Sequence, residues 1–151
     1  MKHLVITLVV VVLLSTTTIL SQAQILQFSS TTVPTGNGPR SAILIDLDLD
    51  GNGDLAVANL IGSTISLIFG DGSGSFTLLD SVATIHKSPH HINFDDFNGD
   101  NMLDVITANR DSNTVGLFLG DGVGSFLPPT FYTTGLSPRW IAIADFNADN
   151  Y

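Results

Sequence analysis

Side-chain oxygens recur at fixed spacing in this chain. In "DLDLDGNGD", Asp46, Asp48, Asp50 and Asp54 stand at positions 1, 3, 5 and 9. In "DFNGDNMLD", Asp96, Asn98, Asp100 and Asp104 take the same positions. Asp145, Asn147 and Asp149 begin the pattern a third time before the chain ends. Alternate residues of a tight loop can turn their oxygens towards one centre. Hard oxygen donors in this number and charge suit Ca2+. Backbone carbonyls at position 7, those of Asn52 and Met102, would complete the shell. Without a cation the same loops would crowd like charges together, which is electrostatically unfavourable.

An EF-hand loop begins in the same way, but it needs Glu at position 12 and flanking helices. Position 12 is Val57 in the first loop and Thr107 in the second, and the flanks read as strands. The bland alternative is that Asp, Asn and Gly simply favour turns. The threefold recurrence of the spacing argues for the cation. Position 6 departs between copies, Gly51 in one and Asn101 in the other. Asn tolerates left-handed backbone better than most residues, so the second loop is expected to keep the site.

The composition agrees with ligand-bearing loops. The 151 residues carry a formal net charge of −9, and all 14 acids are aspartate. Aspartate favours turns and caps, whereas glutamate favours helix interiors. Five scattered Lys and Arg make no basic stripe, so a nucleic-acid partner is not expected. The absence of cysteine excludes disulfides and zinc-thiolate sites. Residues 1–23 have the layout of a secretory signal peptide: Lys2, an apolar run from Leu4 to Leu14, then Ser21-Gln22-Ala23 as a cleavage site. The run is too short to span a bilayer and is broken by Ser15-Thr16-Thr17-Thr18. The expected product is secreted, with no membrane span after cleavage and no N-glycan acceptor.

The elements that must position the acidic loops form a repeat. Pro39, Pro89 and Pro138 each precede a strand-like run, at spacings of 89 − 39 = 50 and 138 − 89 = 49 residues. "GDGSGSF" from Gly70 aligns with "GDGVGSF" from Gly120. Each unit reads as four strands: "AILID", "LAVAN", "TISLIF" and "FTLLDSVAT" in the first. Short strand runs with turn signals between them mean an all-β repeat, and four strands in about 50 residues is the size of one propeller blade.

The acidic loop, the apolar strand after it, and Phe69-Gly70-Asp71-Gly72 with Leu119-Gly120-Asp121-Gly122 together resemble the FG-GAP or VCBS repeat of integrin-α-like propellers. The resemblance covers essentially the whole chain after the leader. It implies an all-β fold of four-stranded antiparallel blades, about two and a half of them, as a fragment of a seven-bladed propeller. The expected units are a leader at 1–23, an outer strand and linker at 24–38, repeats at 39–88 and 89–137, and the start of a third at 138–151. It further implies that the calcium ions are structural, that first strands line a central channel, and that the loops entering them lie on the opposite face.

Those entry loops read Pro39-Arg40-Ser41, Pro89-His90-His91 and Pro138-Arg139-Trp140. With Arg110, they offer Arg40, His90, His91, Arg139 and Trp140 to grip a carboxylate or stack on a sugar. The function implied is a secreted or cell-surface, calcium-binding interaction module for an extracellular protein or glycan. The alternatives are the scaffold of a secreted hydrolase or polysaccharide lyase, or an incomplete gene product without independent function. No acid, base and nucleophile constellation is visible. Ser41 and His91 occupy corresponding positions in adjacent units, but nothing supplies an orienting acid, so no catalytic activity is expected.

Overall fold

The structure, a computed structural model, describes residues 6–10, 29–83 and 86–145. Its core is two four-stranded antiparallel sheets. The first holds β3 (Pro39–Ile45), β4 (Asp54–Asn59), β5 (Thr64–Gly70) and β6 (Phe76–Ala83) in that spatial order. The second holds β7 (Pro89–Asp95), β8 (Asp104–Asn109), β9 (Thr114–Phe118) and β10 (Thr130–Thr133), again in chain order. One turn of 3-10 helix, Arg110–Ser112, is the only helical element among the described residues. These are two propeller blades, each a meander whose strands pair with their sequence neighbours.

The strand burial follows the residue pattern. "DLAVAN" is apolar on both faces, and β4 is buried along its whole length, as a central strand covered on two sides should be. Ala56 and Ala58 join Ile65 and Leu67 against the second blade, where they meet Ile92, Phe94, Val105 and Phe118. The intervening Leu55 and Val57 turn to the far face of the first blade with Ile68. Period-2 alternation thus divides one strand between two apolar layers. Phe94 and Phe126 meet with ring centroids 6.5 Å apart, and Phe118 meets Phe131 edge-on at 6.3 Å.

The two blades keep the 50-residue register down to their irregularities. Thr64 pairs with Ala83 and Thr114 with Thr133. The first blade has a bulge beside Leu67 and Ile68, which face Asp80 and Leu78 and leave residue 79 unpaired. The second blade carries Pro128-Pro129 at the equivalent place and interrupts its outer strand there. A bulge leaves an N–H without a ladder partner, so proline is tolerated where it would break a regular strand.

Two elements differ from the sequence expectation. The outer strand expected within residues 24–38 is β2 (Ser29–Val33), but it pairs with β1 (Ile6–Val10), inside the leader run, and belongs to neither blade. The β-branched residues of "ITLVV" suit extended pairing. Val33 of β2 nonetheless packs on the Leu55, Val57 and Ile68 face of the first blade. The inner strand expected after Pro138 is absent: residues 141–145 adopt no strand and have no ladder partner among the described residues. The cleavage region at 21–23 lies outside the described residues.

Candidate functional site

Each acidic loop joins the inner strand of a blade to the next strand. In the first, the carboxylate oxygens of Asp46, Asp48 and Asp50 lie within 4.8 Å of one another. The loop is shaped by its own carboxylates. Asp46 accepts the N–H of Asp50 at 3.1 Å and of Gly51 at 3.0 Å, and Asp50 accepts that of Asn52 at 2.7 Å. The second loop repeats the pattern. Asp96 accepts the N–H of Asp100 at 3.2 Å and of Asn101 at 2.7 Å, and Asp100 accepts that of Met102 at 2.8 Å. Gly51 and Asn101 at position 6 both have positive φ, 90° and 65°, so Asn does adopt the backbone that glycine supplies in the other copy. Position 4 is also left-handed. It is Gly99 in the second loop, at φ 78°, and Leu49 in the first, at φ 61°.

The charges leave their mark on the carboxyls. Burial and the neighbouring charges of Asp50, Asp54 and Asp46 hold Asp48 above the usual carboxylate range, opposed by a hydrogen bond from the Asp50 N–H. At Asp96 burial acts upward, but the N–H groups of Asn101, Gly99, Asp100 and Asn98 outweigh it and hold the carboxyl low. A donor set of clustered carboxylates on a preformed oxygen-rich loop fits a hard divalent cation. Asp46, Asp48 and Asp50 would hold it in the first loop, and Asp96, Asn98 and Asp100 in the second, with one charge fewer. The position-7 residues, Asn52 and Met102, are half-buried at the ends of these loops. Asp145 is exposed, and Asn147 and Asp149 lie outside the described residues.

Position 9 has a role the spacing did not reveal. Asp54 is buried, at 1% exposure, and its carboxylate accepts the N–H of Leu47 at 2.8 Å and of Gly70 at 2.8 Å. Asp104 does the same for Phe97 at 3.0 Å and Gly120 at 2.8 Å. Each therefore fastens the start of its acidic loop to the glycine turn that follows the third strand. Both oxygens keep further lone pairs, but Asp54 is not one of the three residues whose oxygens converge. The staple explains the glycine. A Cβ on Gly70 would collide with the Gly53 carbonyl oxygen, and one on Gly120 with that of Leu103. The turn beyond is closed by Asp71, which accepts the N–H of Ser73 at 2.8 Å and of Ser75 at 3.2 Å. Asp121 repeats this with Val123 and Ser125.

The other ends of the inner strands carry the entry-loop residues. The inner strand of the first blade runs seven extended residues, Pro39–Ile45, so its two ends lie roughly 20 Å apart. The ladder skips a residue between Pro39 and Ser41 and again between Pro89 and His91. Arg40 and His90 are therefore the extra residues of two equivalent bulges, and a bulge re-aims its side chain. His90 Nδ1 lies 3.0 Å from the carbonyl of Arg139. A carbonyl only accepts, so that nitrogen carries the proton. Burial lowers the His90 pKa, and the charges of Arg40, Arg139 and Arg110 lower it further against the Arg139 hydrogen bond. His91 is buried at 9% exposure, its Nδ1 has no hydrogen-bond partner among the described residues, and its ring lies against Trp140 at 3.8 Å. Arg110 is paired with Asp111, at 2.7 and 3.1 Å. That pair and Ser88 hold the Asp111 carboxyl at about 2. The structure thus gathers Arg40, His90, His91, Arg110, Arg139 and Trp140, drawn from three units, at one end.

Residues 96–151 match the model of a family described as an FG-GAP-like repeat. No curated protein and no solved structure matches the chain. The matched span begins at the second acidic loop and includes the second strand, the glycine turn and the third loop. The same loop, strands and turn stand 50 residues earlier in the first blade, so the span that is similar to the FG-GAP-like repeat has a second copy in the chain.

Proposed function

We propose that the chain is a calcium-binding propeller-repeat module, secreted or displayed at the cell surface, whose entry-loop end engages an extracellular protein or glycan. The observation that carries the reading is the convergence of Asp46, Asp48 and Asp50 on a loop whose backbone pattern is repeated in the second blade. Structural calcium adds stability where each blade buries a small core. The leader-like residues 1–23 support export. The bulged Arg40 and His90 support ligand contact, since loops on a rigid scaffold are where binding residues gather.

Calcium stabilises the folded chain by mass action, by about 2.7 kcal/mol per site at a hundredfold excess over Kd. Thermal unfolding is measured in EDTA and in millimolar calcium. The expected result is a calcium-dependent rise in midpoint that Asp50→Ala with Asp100→Ala abolishes. An unchanged midpoint in calcium overturns the reading.

A further inference from the structure

We propose that the entry-loop end of the blades binds a carboxylate-bearing sugar, a uronate, with Arg40 and Arg139 gripping the carboxylate and Trp140 stacking on the ring. The inference rests on reading the chain as a propeller interaction module and names its ligand class. The first argument is charge separation. Among the described residues every Lys and Arg (Arg40, Lys87, Arg110 and Arg139) lies at this end of the strands, while the acidic loops lie at the other. In a chain of net charge −9 this is a local positive field facing away from the metal loops, and it selects an anion.

The second argument is which groups are committed. Arg110 is taken by Asp111. Arg40 and Arg139 are exposed and have no ion pair among the described residues. Arg40 sits on a bulge that frees it from the ladder, and the carbonyl of Arg139 is held by His90. The backbone of both arginines is therefore placed by these features, and their exposed guanidinium forks have no carboxylate partner among the described residues, the group they match bidentately.

The third argument is the aromatic wall. Trp140 is 75% exposed although its ring lies against His91 at 3.8 Å. The stack orients the indole and leaves most of its surface to solvent. An exposed, oriented indole beside cations suits a ring with an apolar face and a charged edge. A pyranose carrying a carboxylate has both. An Asp or Glu side chain has the charge but no apolar ring face to lie on the indole.

The test uses the full chain, loaded with calcium and then freed of excess metal. Trp140 is the single tryptophan, so its fluorescence reports the site directly. Tetragalacturonate is titrated against its fully methyl-esterified form and against an aspartate-rich peptide. The expected result is a saturable change with tetragalacturonate that weakens with salt. The ester, Arg40→Ala and Arg139→Ala each bind about tenfold more weakly or worse. By calorimetry, Trp140→Ala loses at least as much. These residues are exposed, so an unchanged melting midpoint verifies each variant's fold. No saturable change overturns the proposal, as does equal binding of the ester. Preferential binding of the peptide, insensitive to Trp140→Ala, assigns the end to acidic peptides and overturns the sugar. The calcium-dependent midpoint is measured on the same samples. A calcium response without uronate binding defeats this inference alone, and a missing calcium response defeats the module reading while the titration still decides the ligand.

Discussion

Replacing Asp54 by alanine separates a staple from a metal ligand. The Asp54 carboxylate accepts two backbone N–H groups, those of Leu47 and Gly70, each at 2.8 Å. A hydrogen bond to a charged group contributes about 1.5–3 kcal/mol. Leu47 is buried, so its N–H loses that in full, whereas Gly70 is only half-buried and water can replace part of its bond. The sum for Asp54→Ala is about 3 kcal/mol. Asp104→Ala should cost about the same, because its two ends are exchanged: the bond to Phe97 is part-buried and the bond to Gly120 is buried. Asp50 is exposed and, among the described residues, accepts bonds only from Asn52, so Asp50→Ala in the absence of metal should stay within about 0.5 kcal/mol of the parent. The assay is equilibrium denaturant unfolding in EDTA, repeated in calcium. Asp54→Ala should lower stability in both media, and Asp50→Ala should lose only the calcium-dependent part. Equal costs for the two variants in EDTA would refute the staple.

Leu49 is held at φ 61° while 58% exposed, so its side chain contributes little packing and its backbone is strained. Left-handed backbone costs an ordinary residue about 1–2 kcal/mol, and Asn tolerates it better. Leu49→Asn should therefore stabilise by about 0.5–1 kcal/mol in denaturant unfolding, and a loss of stability would count against the strain. The histidines give a pH signature. Burial lowers the pKa of His91, as the neighbouring His90 also does, below its unfolded value of about 6.5. The unfolded chain then binds the proton first, so stability is complete above pH about 6.5 and declines as pH falls through it. His91→Phe, which keeps a ring against Trp140, should flatten that decline in thermal melts between pH 7 and 5. A slope unchanged by the substitution would place its origin elsewhere.

Much of this architecture was legible in the residues. Alternation and glycine punctuation located β4, β5 and β6 to within a residue or so, because strand pairing between sequence neighbours is a local property. The 50-residue period carried the first blade's reading into the second. The position-6 asparagine was expected to accept left-handed backbone, and it does. Spacing alone could not distinguish the aspartates of a loop from one another. Asp50 and Asp54 are the same residue type four positions apart, yet one is exposed and the other is buried under two N–H donors. That difference is set by Gly70, 16 residues away, and so by the folding back of β5. The one trace of it in the sequence is the first glycine of each "GDG", which recurs at a constant distance from the position-9 aspartate. The bulges at Arg40 and His90 were hidden for the same reason, since a bulge is a mismatch between two strands and belongs to neither sequence. By itself the sequence determined the repeat, the strand order and the loops rich in oxygen donors, because these rest on local propensity and periodicity. Only the tertiary structure decided which carboxylates converge, which one is spent on the backbone, and that arginines from three units meet at the opposite end, because each of these depends on distances between strands that are remote in the chain.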